Sequence, residues 1–117
     1  MTKRKDKRIN KSLLVDINQN GFEQMGVTVN VSRRGMCIAT TEVFPAQSEL
    51  CILSAAADDI YPVTGVVVWN MKNGFASKDN VPAGLGIRIC TASPGYYKFI
   101  AAMKKNRRLP VKNRLVC

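Results

Sequence analysis

What most constrains the fold of this 117-residue chain is a series of six short apolar runs, each closed by turn-forming residues. Residues 12–18 (SLLVDIN) lead to Asn20-Gly21, and residues 23–31 follow. Residues 35–43 close at Phe44-Pro45, and residues 48–55 end before Asp58-Asp59. Residues 60–70 precede a polar stretch at 72–80, and residues 83–91 form the sixth run. In the second run Val27, Val29 and Val31 alternate with Thr28 and Asn30, the period-two pattern of a half-buried strand. Six short strands at regular spacing predict an all-β, six-stranded antiparallel barrel. The end of the chain changes period. Ser93-Pro94 reads as a helix N-cap followed by proline in the first turn, and Tyr96, Phe99, Ile100 and Met103 recur at helical spacing. One C-terminal helix over 94–106 is expected to lay this face on the barrel or over one of its ends.

Charge is distributed unevenly. Residues 1–12 carry a net +5, residues 104–114 a net +6, and the rest of the chain −1, out of +10 overall. A near-neutral domain, 12–106, is therefore expected between a basic arm, 1–11, and a basic tail, 107–117. Such ends attract polyanions without sequence preference, whereas a dedicated nucleic-acid face spreads its bases over the folded body. No apolar run reaches membrane-spanning length and no leader-like segment opens the chain, so the expected location is cytoplasmic. Cys37, Cys51 and Cys90 each sit in an apolar run and are expected to be buried free thiols. There is no histidine, no C-x-x-C pair and no glycine-rich phosphate loop, so no metal, no cofactor and no catalytic residue is expected and the chain reads as a non-enzyme.

Two short pieces carry the functional signal. Arg4 and Arg8 stand four apart, with Lys3 just before them, and Asn30-Val31-Ser32-Arg33-Arg34-Gly35 follows at the end of the second run. If Val27, Val29 and Val31 face the core, Asn30 and Ser32 face outward together, about 6–7 Å apart. Gly35 permits a tight turn or a close approach of ligand to backbone. Arg33 lies in the turn between. A guanidinium suits paired contacts with phosphate oxygens or with the O6/N7 edge of guanine.

Together these residues resemble the signature of the PilZ family, R-x-x-x-R and then, after a spacer, [D/N]-x-S-x-x-G. The likeness extends through Val66-Val67-Val68-Trp69 and Gly84-Leu85-Gly86-Ile87-Arg88-Ile89 to the final helix. The resemblance implies a PilZ-like split barrel that binds cyclic di-GMP on its outer surface. It implies that Arg4 and Arg8 wrap over the ligand, that Asn30 and Ser32 hydrogen-bond a guanine edge, and that Gly35 shapes the turn. Lys3 occupies the position that influences how many nucleotides bind. Ligand would then reorganise the arm and present a changed surface to a downstream protein partner. Two other readings stay open: a small barrel binding RNA or DNA nonspecifically through its basic ends, and a ligand-free protein–protein adaptor. For Trp69 the residues leave two readings, packing against core or helix and a stacking platform for a base. Arg88, between Ile87 and Ile89, is expected to face outward.

Overall fold

A computed structural model describes residues 8–71 and 83–107, with side chains as far as Met103. Six strands precede one helix: β1 (Leu14–Gln19), β2 (Phe22–Val31), β3 (Gly35–Thr40), β4 (Glu49–Ala56), β5 (Asp59–Met71), β6 (Ala83–Ala92) and α1 (Pro94–Arg107). Every pairing is antiparallel, and the strands close into a ring in the order β1-β2-β3-β6-β5-β4. The expected architecture is thus present.

The Asn20-Gly21 turn joins β1 to β2 with positive φ at both residues, 52° and 89°. That is the backbone a two-residue hairpin needs to follow the strand twist. Val15, Ile17, Met36, Ile38, Leu50, Ile52, Val63, Val67, Leu85, Ile87 and Ile89 fill the barrel from alternating positions. Helix α1 begins at the Ser93 cap, where the Tyr96 amide donates to the Ser93 carbonyl at 3.0 Å and to its Oγ at 3.4 Å. Tyr96 and Ile100 enter the core, and Phe99 and Met103 pack beside them. Phe99 stacks against Tyr61 of β5, with ring centroids 5.3 Å apart.

Strand β2 departs from its sequence pattern. Val27 and Val29 do not face the core: they are 40% and 39% exposed, while Gly26 and Thr28 are buried. The cause is a bulge against β3. Thr28 pairs with Ile38, and Asn30 pairs with Cys37, the next residue back along β3, so Val29 is the extra residue. Past the bulge the phase flips and Val31 turns inward. The buried Thr28 hydroxyl donates to the Lys11 carbonyl at 2.6 Å and accepts from the Leu13 amide at 2.7 Å. The thiols also differ from expectation. Cys37 is buried, but Cys51 and Cys90 are exposed, because each alternates outward on a strand whose other face fills the barrel.

Candidate ligand site on the barrel wall

The site begins at Ile9. This residue pairs with Val31 through Ile9 N to Val31 O at 2.8 Å and Val31 N to Ile9 O at 2.9 Å, and its side chain is buried. Alternation then places Arg8 outside, over the wall. Its Nη1 donates to Asn30 Oδ1 at 2.7 Å, so the second motif arginine and the motif asparagine are in direct contact. The bulge in β2 makes this meeting possible by turning Asn30 outward beside Cys37.

Gly35 opens β3 under the same guanidinium. A Cβ there would lie 2.9 Å from the Ile87 carbonyl and 3.3 Å from Arg8 Nη2. Glycine is thus required by the approach of two groups already in the protein, and its backbone needs no positive φ. Asn30, Cys37 and Gly86 form one outward row across β2, β3 and β6, and β5 continues it with Trp69. A Cβ at Gly86 would overlap the Trp69 indole, so the ring lies flat over this glycine and is 40% exposed. The wall is thus a shallow ledge of small residues, with Arg8 and Asn30 at one end and an indole at the other. Arg88 pairs with Gly35 on the neighbouring row and is exposed, as its alternation predicted.

Ser32 stands elsewhere. It does not face outward with Asn30; it is 3% exposed. Its Oγ accepts from the Gly35 amide at 3.1 Å and the Arg34 amide at 3.3 Å, and donates to the Gly35 carbonyl at 3.2 Å. The Ser32 amide donates to the same carbonyl at 2.8 Å. The motif serine is therefore the internal brace of the β2–β3 turn: β2 ends at Val31, so strand alternation does not reach Ser32, and its hydroxyl folds back onto the turn instead of facing outward. From below, Tyr96 Oη donates to the Ser32 carbonyl at 2.8 Å. From the side, the Arg33 guanidinium lies 5.6 Å from the Tyr97 ring centroid. Arg33 and Arg34 are exposed at the tip. Lys3 and Arg4 lie outside the described residues.

The electrostatics are centred on Arg8. Burial pushes the Cys37 thiol up from its ordinary value, and the Arg8 charge opposes the shift. Burial, then the neighbouring Tyr97, pushes the Tyr96 phenol well up, again with Arg8 opposing. Both groups stay neutral at physiological pH and serve as neutral floor and neutral donor. Among the described residues no three of the Cys, Asp and Glu side chains cluster as a metal site, and no helix is long and apolar enough to cross a membrane. The two-part motif singled out Arg8, Asn30 and Gly35, but not the contact between Arg8 and Asn30. Cys37, Gly86 and Trp69 come together only through strand register, which no local pattern displays.

Comparison with known proteins identifies the family and the fold. The family model for the PilZ domain matches residues 2–99, and the chain belongs to that family. No curated protein matches the chain. The fold is similar to that of the Bacillus subtilis inhibitor of motility, MotI/DgrA, with a TM-score of 0.71 at 15% identity over 93% of this chain. This chain spans 55% of that protein. It is also similar to the PilZ domain of Escherichia coli YcgR, solved with c-di-GMP, with a TM-score of 0.66 at 11% identity, covering 92% of this chain and 100% of that one.

Proposed function

We propose that this chain is a cyclic di-GMP receptor module, and that the ligand lies on the ledge between Arg8 and Trp69. The observation that carries the reading is the Arg8–Asn30 contact over Gly35, which assembles residues of both halves of the family motif at one place on the outer wall. The bound c-di-GMP of the YcgR PilZ domain supports the same choice of ligand.

Each residue then has a physical task. Arg8 offers a planar fork for guanine or phosphate, held in orientation by the Asn30 carbonyl oxygen. Asn30 retains its amide group for a base edge. Small residues along the ledge let the Arg8 guanidinium and the Trp69 indole lie close against the strands, and the outer face of the indole offers a stacking surface to a base. Arg4 and Lys3 supply further cationic contacts from the arm, and Arg33 supplies one from the turn. Ser32 acts indirectly, by fixing the turn that holds Arg33, Arg34 and Gly35. Ligand capture neutralises the arm and changes the exposed surface, and a downstream protein in the cytoplasm reads that change. No step in this reading makes or breaks a covalent bond.

Calorimetry with cyclic di-GMP, GTP and an oligonucleotide in parallel tests the proposal. Micromolar or tighter binding, about −8 kcal/mol or stronger, is expected for cyclic di-GMP alone at physiological salt. Oligonucleotide binding that falls steeply with salt, with no heat from cyclic di-GMP, would instead establish polyanion binding by the basic ends.

A further inference from the structure

Strand register places a second arginine beside the first. Gly35 pairs with Arg88 across β3 and β6, on the outward face of both strands. The Ile89 amide donates to the Arg34 carbonyl at 2.7 Å, which makes the adjacent pair the hydrogen-bonded one. Gly35 and Arg88 are therefore a non-hydrogen-bonded pair, the kind whose side chains stand closest, with Cβ positions about 4.5–5.5 Å apart. The same Cβ position of Gly35 is 3.3 Å from Arg8 Nη2 and 3.7 Å from Arg8 Cζ. Arg8 thus reaches the glycine from the β2 side, Arg88 stands on the β6 side, and no side chain separates them. Arg88 is exposed, and it makes no hydrogen bond or ion pair among the described residues. Its row continues to Val66 on β5, and the next acid along it, Glu49, is a further strand away on β4. Its outward neighbours along β6, Gly86 and Cys90, offer no carboxylate. In the protein alone Arg88 therefore adds repulsion beside Arg8 and no contact that offsets it.

We infer that Arg88 is a further ligand-binding residue, and that it closes with Arg8 on one phosphodiester group of the ligand. The inference rests on the receptor reading above and adds a residue that lies outside both halves of the signature. Each guanidinium presents N–H donors in one plane, and a phosphodiester has two unesterified oxygens that share a negative charge. One oxygen faces Arg8 and the other faces Arg88, so the anion removes the repulsion and takes charge-assisted hydrogen bonds from both sides. Rows two residues apart on one face lie roughly 7 Å from each other. A phosphate in the row of Gly35 and Arg88 therefore leaves its nucleoside over the row of Cys37 and Gly86, on the way to Trp69. Arg88 and Arg8 position the phosphate, and Asn30 and Trp69 take the base.

Calorimetry of the full chain with cyclic di-GMP tests this, with Lys98→Ala, an exposed cation on α1, as the control for loss of one charge elsewhere. The parent and Lys98→Ala are expected to bind alike, and Arg88→Ala about tenfold or more weaker. Arg88→Glu is expected to bind weaker still, because a carboxylate repels the phosphate. Arg88→Gln keeps most of the stem and serves as a second neutral variant, and the urea midpoints of both should match that of the parent. Because the two arginines share one phosphate, Arg8→Ala combined with Arg88→Ala should lose less than the product of the two single losses. A folded Arg88→Ala or Arg88→Gln that binds like the parent overturns the inference and leaves the receptor reading standing. Equal losses in Arg88→Ala and Lys98→Ala, or single losses that multiply in the double variant, overturn it as well. A parent that gives no heat with cyclic di-GMP overturns the receptor reading, and this inference with it.

Discussion

The two halves of β2 face different surroundings. Before the bulge, Gly26 and Thr28 face inward and Met25, Val27 and Val29 face solvent; after it, Val31 faces inward and Asn30 turns to Arg8. One strand therefore serves two surfaces, an apolar face on one side and a polar ledge on the other. The difference teaches that the site depends on a local break in regularity. A strand that kept Val29 in regular register against Cys37 would turn Asn30 inward and would not bring the asparagine to the arginine.

The largest effect is expected from removing the polar anchor that keeps the bulge in register. Thr28→Val keeps the shape but leaves the Leu13 amide and Lys11 carbonyl without their partner. It should cost about 2–3 kcal/mol in urea unfolding. A smaller cost follows at the far end of the comparison. Ser32→Ala removes the brace of the turn and should lower stability by about 1–2 kcal/mol. If its melting temperature matches that of the parent, the hydrogen bonds to Ser32 are not what holds the turn.

Next comes the ledge itself. Arg8→Ala should weaken cyclic di-GMP binding at least tenfold, about 1.4 kcal/mol, by calorimetry. Arg8→Lys should recover little, because a point charge cannot replace a planar fork. Lysine binding like the parent would reduce the role of Arg8 to charge alone.

The buttress under the turn gives a pH signature. Tyr96 has its phenol raised above the ordinary value of 10.0, chiefly by burial. The unfolded chain loses that proton first, so the stability it confers is complete below pH 10 and declines as pH rises beyond it. Unfolding free energy should fall by up to about 1.4 kcal/mol per pH unit from this group in that range. Cys37 is shifted in the same direction and begins its own contribution from 9.0. The difference between the parent and Tyr96→Phe isolates the tyrosine, and parallel curves would contradict its burial. The smallest effect is expected from Val29→Thr, a change to an exposed residue next to Thr28. Its cost should stay within about 0.5 kcal/mol by urea unfolding, which would separate the bulge's geometry from the chemistry of its inserted side chain.

Much of this fold was legible because turns and alternation are local. Asn20-Gly21 specified its hairpin, Ser93-Pro94 its helix start, and Ile87-Arg88-Ile89 the outward arginine. The reading of Val27 and Val29 as core residues went wrong because a bulge leaves the apolar alternation of the sequence unbroken while inverting what it means. Ser32 was misplaced for a different reason: the strand ends at Val31, and alternation was carried one residue too far, into the turn. Cys51 and Cys90 look like core in an apolar run, yet every second residue of such a run faces outward. The ledge was half legible. Arg8, Asn30 and Gly35 form a spaced motif, but Cys37, Gly86 and Trp69 are distant in sequence and meet only through strand pairing.

The ring order has a consequence for how the chain is made. Strands β1 to β3 and the pair β4–β5 connect through neighbours in sequence and through β1–β4, but β3 and β5 are joined only by β6. As the chain emerges from the ribosome, β3 waits with an unpaired edge until residues 83–92 arrive. Such an edge recruits other strands, so nascent chains stalled or truncated before β6 are the species most prone to aggregate. The last strand is also the one that lays Gly86 and Arg88 beside β3, so the barrel and its ledge are completed in the same event.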